Sequence, residues 1–486
     1  MFTNQRAVFG QVVGVNTDIV ANKKVILSFV SLICTIFAET SATYTRHEKE
    51  NMKQTISRLW KPAVALLFGL AIFLMCLFPL RAVLHLHEQQ HLFRWTGSYL
   101  RELATTADGW VELAVSFVTQ FFYIGWLGAA VVALLAMGVQ ALTWWLMRRC
   151  RLRSGWWFPL SLVPAALLFY FVFIPREFLK DELYREAAEY DYLVRAQRWD
   201  AILWKSYRQT PFTTNGTWCT NYALAKKGRL LQQMFEFYQN DPNGLLMDAA
   251  RNNALSLYSL SDIMLDLGMV NNAQRMAFDA AVQLPRYHKS GRLYQRLALT
   301  NTVNGHEKVA RKYLHYLEST LFYGRWAKNM LTGQTDEQVE RLKQLRTTTD
   351  TQLSYSIDHA LHQLVSDHPE NQMARDYLLA YEMLRLDLDK VLEYALDERG
   401  RMKDEGGWSL PKSVQECIVG HWLLTRTEGD SLPMPIEKSI YETTLQFMQI
   451  VNSTGNMQHP ELSQPPFNHS YWSYHVRAKS QLSQKP

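Results

Sequence analysis

The chain has 486 residues, of which 48% are hydrophobic, 20% charged and 13% aromatic, with only 5 cysteines. That length allows two or three domains, and the composition excludes a disordered chain, a collagen-like repeat and a small disulfide-stapled scaffold. The net charge of +6 is uneven: the first 175 residues hold 15 Lys/Arg against 8 Asp/Glu (+7), and the remainder 36 against 37 (−1). A uniformly basic surface would point to a polyanion; positive charge confined to the apolar end points to a lipid bilayer and away from nucleic acid.

Lys23 and Lys24 precede a short apolar segment, VILSFVSLICTIFA, of signal type and marginal length for spanning. Cys34 within it follows Leu32-Ile33 rather than the small residue lipoprotein processing wants, so lipidation is not expected. Met52 opens a more conventional membrane-protein start, MKQTISRLWKP, and residues 1–51 read as a dispensable leader or an unused upstream start.

Residues 52–175 read as a membrane domain. Three apolar runs, 62–80, 111–147 and 156–174, each reach the roughly 20 residues that a helix needs to cross the hydrocarbon core. The second is too long for one crossing, so its first turns should lie along the interface or beyond the bilayer. Trp110, Trp144, Trp145, Trp156 and Trp157 mark the ends of these runs, where amphipathic rings favour the headgroup layer. Lys53, Arg58 and Lys61 precede the first span, and Arg148, Arg149, Arg151 and Arg153 fill the connection between the second and third. The positive-inside bias puts both clusters in the cytoplasm and everything after Pro175 outside it. The runs hold few polar groups, chiefly Gln120 and Gln140, and no acid or base at bilayer depth, which argues against transport.

Residues 176–455 carry apolar residues at helical spacing. Turn signals at Lys227-Gly228, Gly268, Gly305 and Leu386-Asp387 are separated by about 40, 37 and 81 residues, the last being two steps. The best unit, 257–285, places small Ser261 where two helices must approach, Gly268 at their turn, Ala273 and Ala280 on the second helix, and Pro285 at its end. Ala310 repeats the step after Gly305, with Leu265, Met276, Leu314 and Leu317 as the large partners, whereas Gln233 and Leu392 fit the small position poorly. The expectation is an all-α chain: three transmembrane helices followed by a tetratricopeptide-like α-solenoid of helical hairpins, with 456–486 as a polar and aromatic tail. Stacked hairpins form a concave surface of the kind that binds partners. Trp218, Tyr238, Tyr323 and Trp326 are aromatic contacts to weigh, though core packing is the preferred role for them.

The stretches NYALAKKGRLLQQMFEF, DIMLDLGMVNNAQRMAFDAA and RLALTNTVNGHEKVARKYLHYLESTLFYGRWA, with the ending PPFNHSYWSYH, resemble an uncharacterised Bacteroidetes-type membrane family with an apolar amino-terminal part and a tetratricopeptide-like carboxyl-terminal part. The resemblance implies a Gram-negative host, a multi-pass protein of the cytoplasmic membrane and a periplasmic carboxyl-terminal domain. It implies no catalytic residue and no cofactor.

The sharpest chemical motif is His87-Glu88-Gln89-Gln90-His91, an HExxH. On a helix, His87 and His91 share a face and can hold Zn²⁺, with Glu88 as base for attack by water. A zincin needs a third ligand, and Glu102, Asp108 and Glu112 downstream lie in no recognisable third-ligand motif; Arg94 and Arg101 would disfavour a dication. The preferred reading is an interfacial polar loop without metal, with a membrane zinc peptidase on His87, Glu88 and His91 as the alternative. Cys219 and Cys417 either pair or remain buried thiols. Phosphate-binding, dinucleotide-binding, nucleophile-elbow and CxxC motifs are absent. The functional expectation is therefore a membrane-anchored helical-repeat protein that binds or organises a protein or envelope component outside the cytoplasm.

Overall fold

The computed structural model describes residues 46–106, 108–152, 154–247, 253–284, 288–334, 337–346, 357–402, 410–427, 430–432, 435–455 and 459–483. The signal-type segment with Cys34, Arg153 of the basic loop, and Pro285 lie outside these residues. The regular elements are helices, and no strand occurs among the described residues. The chain divides into two compact units, one built on α1 (Arg46–Leu77) with Ile124–Ile174, the other on Ala82–Tyr123 with Pro175 onward.

Within the inter-span segment the helices are α2 (Arg81–Gln90), α3 (Gly97–Ala104) and α4 (Gly109–Thr119), followed by α5 (Gly125–Arg149). The apolar run that outran a bilayer crossing is thus two helices. A 3₁₀ turn at Gln120–Tyr123 and an extended Ile124 separate them, and α4 folds with the second unit. A domain boundary expected at 175 is therefore discontinuous, because the segment 82–123 finds its packing partners further along the chain.

Three segments of the first unit are long and apolar enough to cross a membrane: Leu59–Leu77, Gly125–Arg149 and Gly155–Phe173. The third contains α6 (Leu162–Leu168), framed by 3₁₀ and π turns. Lys61 Nζ sits 4.9 Å from the centroid of Trp144, Trp60 and Trp144 meet Phe158 edge-on at 5.3 and 5.2 Å, and Arg149 lies over Trp145. Lys61 of the first basic flank and Arg149 of the second therefore lie at the same end of the unit. Gln140 donates to Ser161 Oγ at 2.9 Å and Ser161 donates to the Phe158 carbonyl, so the polar pair inside the apolar unit is mutually satisfied.

The second unit continues with α7 (Glu182–Arg195), α8 (Trp199–Arg208), α9 (Thr214–Lys226), α10 (Ala254–Leu267), α11 (Val270–Val282), α12 (Gly291–Val303), α13 (Glu307–Glu318), α14 (Gly324–Leu331), α15 (Glu337–Leu345), α16 (Ile357–Asp367), α17 (Gln372–Arg385), α18 (Leu388–Met402), α19 (Lys412–Thr425), α20 (Lys438–Thr454) and α21 (Tyr471–Ser483). Gly228, Gly268, Gly305 and Leu386 all adopt the left-handed conformation, which ends one helix and lets the next fold back. At Gly268 a side chain would also crowd the Leu345 carbonyl at 3.0 Å. Asn253 caps α10 at its start by accepting from Ser256 N–H, and Asn371 donates to the Leu267 carbonyl at its end. Ser261 donates across the α10–α11 hairpin to the Ala273 carbonyl at 2.8 Å. The small positions Ser261, Ala273, Ala280 and Ala310 and the large ones Leu265, Met276, Leu314 and Leu317 are all buried. Of the four aromatic residues weighed as contacts, Trp218 and Tyr323 are buried and Trp326 packs against the core, leaving Tyr238 exposed. Cys219 and Cys417 are free, buried thiols.

The closing segment is core rather than tail. Tyr471, Trp472 and Tyr474 on α21 are buried in the main apolar cluster. Trp472 donates to the Glu416 carbonyl at 3.0 Å and lies over Gly420, where a Cβ would meet its ring at 1.6 Å. Tyr474 donates to the Leu384 carbonyl at 2.7 Å. Replacing Trp472 with Ala should cost about 3–5 kcal/mol, read from denaturant unfolding of the detergent-solubilised protein; a loss below about 1 kcal/mol would mean that the aromatic ending is dispensable.

Glu416 makes the same contact pH-dependent. Burial pushes its carboxyl up to about 7, only partly opposed by Lys412, and its Oε2 accepts the Tyr471 N–H. The folded value exceeds the unfolded one, so this contribution to stability is complete below about pH 4.3 and disappears as pH rises through about 7. A Glu416→Gln variant should therefore lose less thermal stability than the parent between pH 5 and pH 8, and parallel pH profiles for the two would refute the assignment.

Candidate functional site

Residues His87 to Gln90 of the HExxH segment lie on helix α2 rather than in a loop, and His91 follows its end. Helix α2 buries His85, Glu88 and Gln89 along with its aliphatic residues. Buried polar groups need partners, and the polar residues of this segment find them on different elements.

His85 Nε2 lies 2.9 Å from Asp191 Oδ2 on α7, and because an ionised carboxylate only accepts, this nitrogen donates. Asp191 is fully buried and also accepts from Arg292 Nη1 on both oxygens at 3.0 Å and from Ser259 Oγ at 3.2 Å. Arg292 reaches on to Asp262, which Arg296 also binds. Burial alone would raise the Asp191 carboxyl; Arg292 and His85 outweigh it and hold the group at about 2. Burial likewise opposes the Arg292 guanidinium, but Asp191 and Asp262 keep it firmly charged.

Glu88 accepts from Tyr323 Oη at 2.6 Å and from the Gln89 amide. Burial, with Glu88 beside it, raises the Tyr323 hydroxyl well above its ordinary value, so the phenol stays protonated and donates. Gln89 receives Tyr258 Oη on its carbonyl and lies 3.5 Å from Ser290 Oγ. The His87 ring stands edge-on to Phe122, with centroids 6.3 Å apart.

His91, just past the end of α2, is the motif residue that meets other metal-ligating groups. Its Nδ1 is 3.0 Å from Glu112 Oε1 on α4, and its ring lies 4.4 Å from that of His288, in the loop before α12. His288 Nε2 is 3.8 Å from Glu112 Oε2. One ligand atom from each of the three residues lies within 4.8 Å of the others. Burial lowers the His288 imidazole, and His91 adds to that effect against Glu112, which favours the neutral, metal-binding form. Thus His91 joins Glu112 and His288, while His87 and Glu88 are turned to Phe122 and Tyr323. The arrangement lacks the shared ligand face and adjacent base that a zincin requires.

A second cluster, Asp358, His362 and Glu382, also brings metal-ligating types together. Here Arg385 and Lys390 already bind Asp358 at 2.8 and 3.1 Å, and the group is an ion-pair network.

Glu112 was visible in the sequence as a downstream acid, but Asp191, Arg292 and His288 were not singled out. The signal for Asp191 was a carboxylate on the apolar face of α7, among buried Ala187, Ala188, Leu193 and Val194. For His288 there was none, because nothing local ties residue 288 to residue 91.

The chain matches a family of unknown function (DUF6057) over residues 56–175 and 170–478, and so belongs to that family. No curated protein and no solved structure matches it.

Asp191→Asn should destabilise the protein by about 1–3 kcal/mol, since it removes one of the two carboxylates that hold the buried Arg292 and weakens the hydrogen bonds from His85 and Ser259. Because the folded carboxyl is held below its unfolded value, the contribution of Asp191 is complete above about pH 4 and fades as pH falls through about 2. Chemical denaturation at neutral pH measures the first effect. A change within about 0.5 kcal/mol would show that the pair does not hold the fold.

Proposed function

We propose that this protein is a three-span anchor of the bacterial cytoplasmic membrane whose second unit, a tetratricopeptide-like array lying in the periplasm, binds or organises another protein or envelope component. The observation that carries the reading is the shared basic end of the apolar unit. Lys61, Trp144 and Arg149 gather there, while the chain enters and leaves the second unit from the opposite helix ends, after Arg81, before Ile124 and after Ile174. With the basic end inside, the second unit is outside. The hairpins α10–α11 and α12–α13, with small residues at their close approaches, support the repeat assignment.

A binding role fits the way the polar chemistry is used. The charged groups of α2, α7, α10 and α12 face one another in the interior, whereas Tyr207, Phe212 and Tyr238 stand exposed on the second unit at 71%, 57% and 42%. Exposed aromatic side chains supply large contact area at low entropic cost and are enriched where proteins bind one another. A peptidase role on His87, Glu88 and His91 draws no such support, because Glu88 is committed to Tyr323 and Gln89.

Two measurements test the reading. In a Cys34→Ser background, the exposed Cys150 of the basic loop should resist a membrane-impermeant maleimide in intact spheroplasts, while a cysteine placed at Lys343 should react; the reverse pattern would overturn the orientation. A photo-crosslinking amino acid at Tyr207, Phe212 or Tyr238 in the full-length membrane protein should give a discrete adduct that the same probe at Lys343 does not. No adduct from any of the three would remove the binding role.

A further inference from the structure

Three segments remote in sequence deliver His91, Glu112 and His288 to one place: the end of α2, the first turn of α4 and the loop that leads into α12. Two imidazoles and a carboxylate are a donor set that zinc-class cations prefer. Tetrahedral coordination with bonds of about 2.0–2.2 Å places ligand atoms roughly 3.3 Å apart. His91 Nδ1 lies 3.0 Å from Glu112 Oε1 and His288 Nε2 3.8 Å from Glu112 Oε2, and one ligand atom from each of the three residues lies within 4.8 Å of the others, close enough for small side-chain adjustments to reach that spacing. The side chains of His91, Glu112 and His288 are only 8%, 21% and 20% exposed, so the donors sit in a partly dehydrated setting.

The charges around the site are favourable as well. The ion pairs found for Glu112 are both with histidine. Arg94, which by sequence would repel a dication, is drawn aside onto the rings of Tyr99 and Tyr316, at 5.0 and 4.5 Å. Lys289, next to His288, also lies over Tyr316, at 5.2 Å. Arg101 turns its Nε to the Gly97 carbonyl of its own helix. Finally, His288 Nδ1 is buried with no hydrogen-bond partner.

We propose that His91, Glu112 and His288 bind one zinc-class divalent cation, clamping the inter-span segment 82–123 to the helices that follow Pro175. Three protein ligands leave a fourth position for water. The site takes one histidine from the HExxH motif and rejects the other.

The test uses the full-length protein in detergent, stripped with chelator, reloaded with zinc, desalted and assayed by elemental analysis. The expected content is about one zinc per chain. His91→Ala, Glu112→Gln and His288→Ala should each lose at least ten-fold in zinc affinity, while His87→Ala keeps it; circular dichroism confirms that the variants remain helical. Should a variant fail to fold, cobalt(II) loaded into the parent protein serves instead. It should give the weak visible bands of nitrogen and oxygen ligation without a thiolate charge-transfer band. Failure of the parent to retain zinc, retention by His288→Ala, loss in His87→Ala, or a thiolate band would each overturn the assignment.

Discussion

A single buried carboxylate organises the second unit. Asp191 has no exposed surface, and an isolated charge in such a place would be prohibitively costly. Its oxygens accept from His85, Arg292 and Ser259, so α2, α10 and α12 must all stand at fixed distances from α7. Arg292 in turn engages Asp262, which extends the constraint along α10. Buried ion pairs add little net stability compared with apolar packing, but they penalise any arrangement that separates the partners. That asymmetry makes Asp191 a selector among packings. Apolar contacts alone would tolerate α2 in several registers; the carboxylate tolerates one.

This constraint explains why the chain between the first two candidate spans belongs to the second unit. Helix α2 contributes polar groups that have no use in a bilayer, and the second unit supplies partners for His85, Glu88 and Gln89. The segment is held along its length, from His85 at Asp191 to the Trp95 N–H on the Ser319 carbonyl. A motif that resembles a hydrolytic centre thus serves as a docking surface. Its residues are polar because they meet buried acceptors and donors, and only His91 is left in a position to share a ligand.

The apolar unit, with its three candidate spans, follows a simpler rule. With no water to satisfy polar groups, such groups must pair internally or leave. Gln140 pairs with Ser161. Gln120 leaves: the long apolar run breaks at Ile124, and the glutamine falls in the turn that belongs to the second unit. The length of a run in sequence therefore overstates the length of a span whenever an apolar helix of a folded domain abuts it.

By itself the sequence determined the properties that depend on neighbours a few residues away. The spans followed from uninterrupted apolar length. That Lys61 and Arg149 share one end of the apolar unit followed from the order of basic residues and apolar runs along the chain. The turns at Gly228, Gly268, Gly305 and Leu386 followed from residues that interrupt helical periodicity, and the small and large core positions from their spacing around those turns. Tertiary structure decided the rest, because it depends on which residues meet after the chain has folded back. The aromatic ending is core because Trp472 fits over Gly420, and Asp191 is buried because Arg292 arrives from 101 residues away. His91 keeps company with Glu112 and His288 rather than His87, because side chains four residues apart on a helix share a face only while the helix lasts, and α2 ends at Gln90.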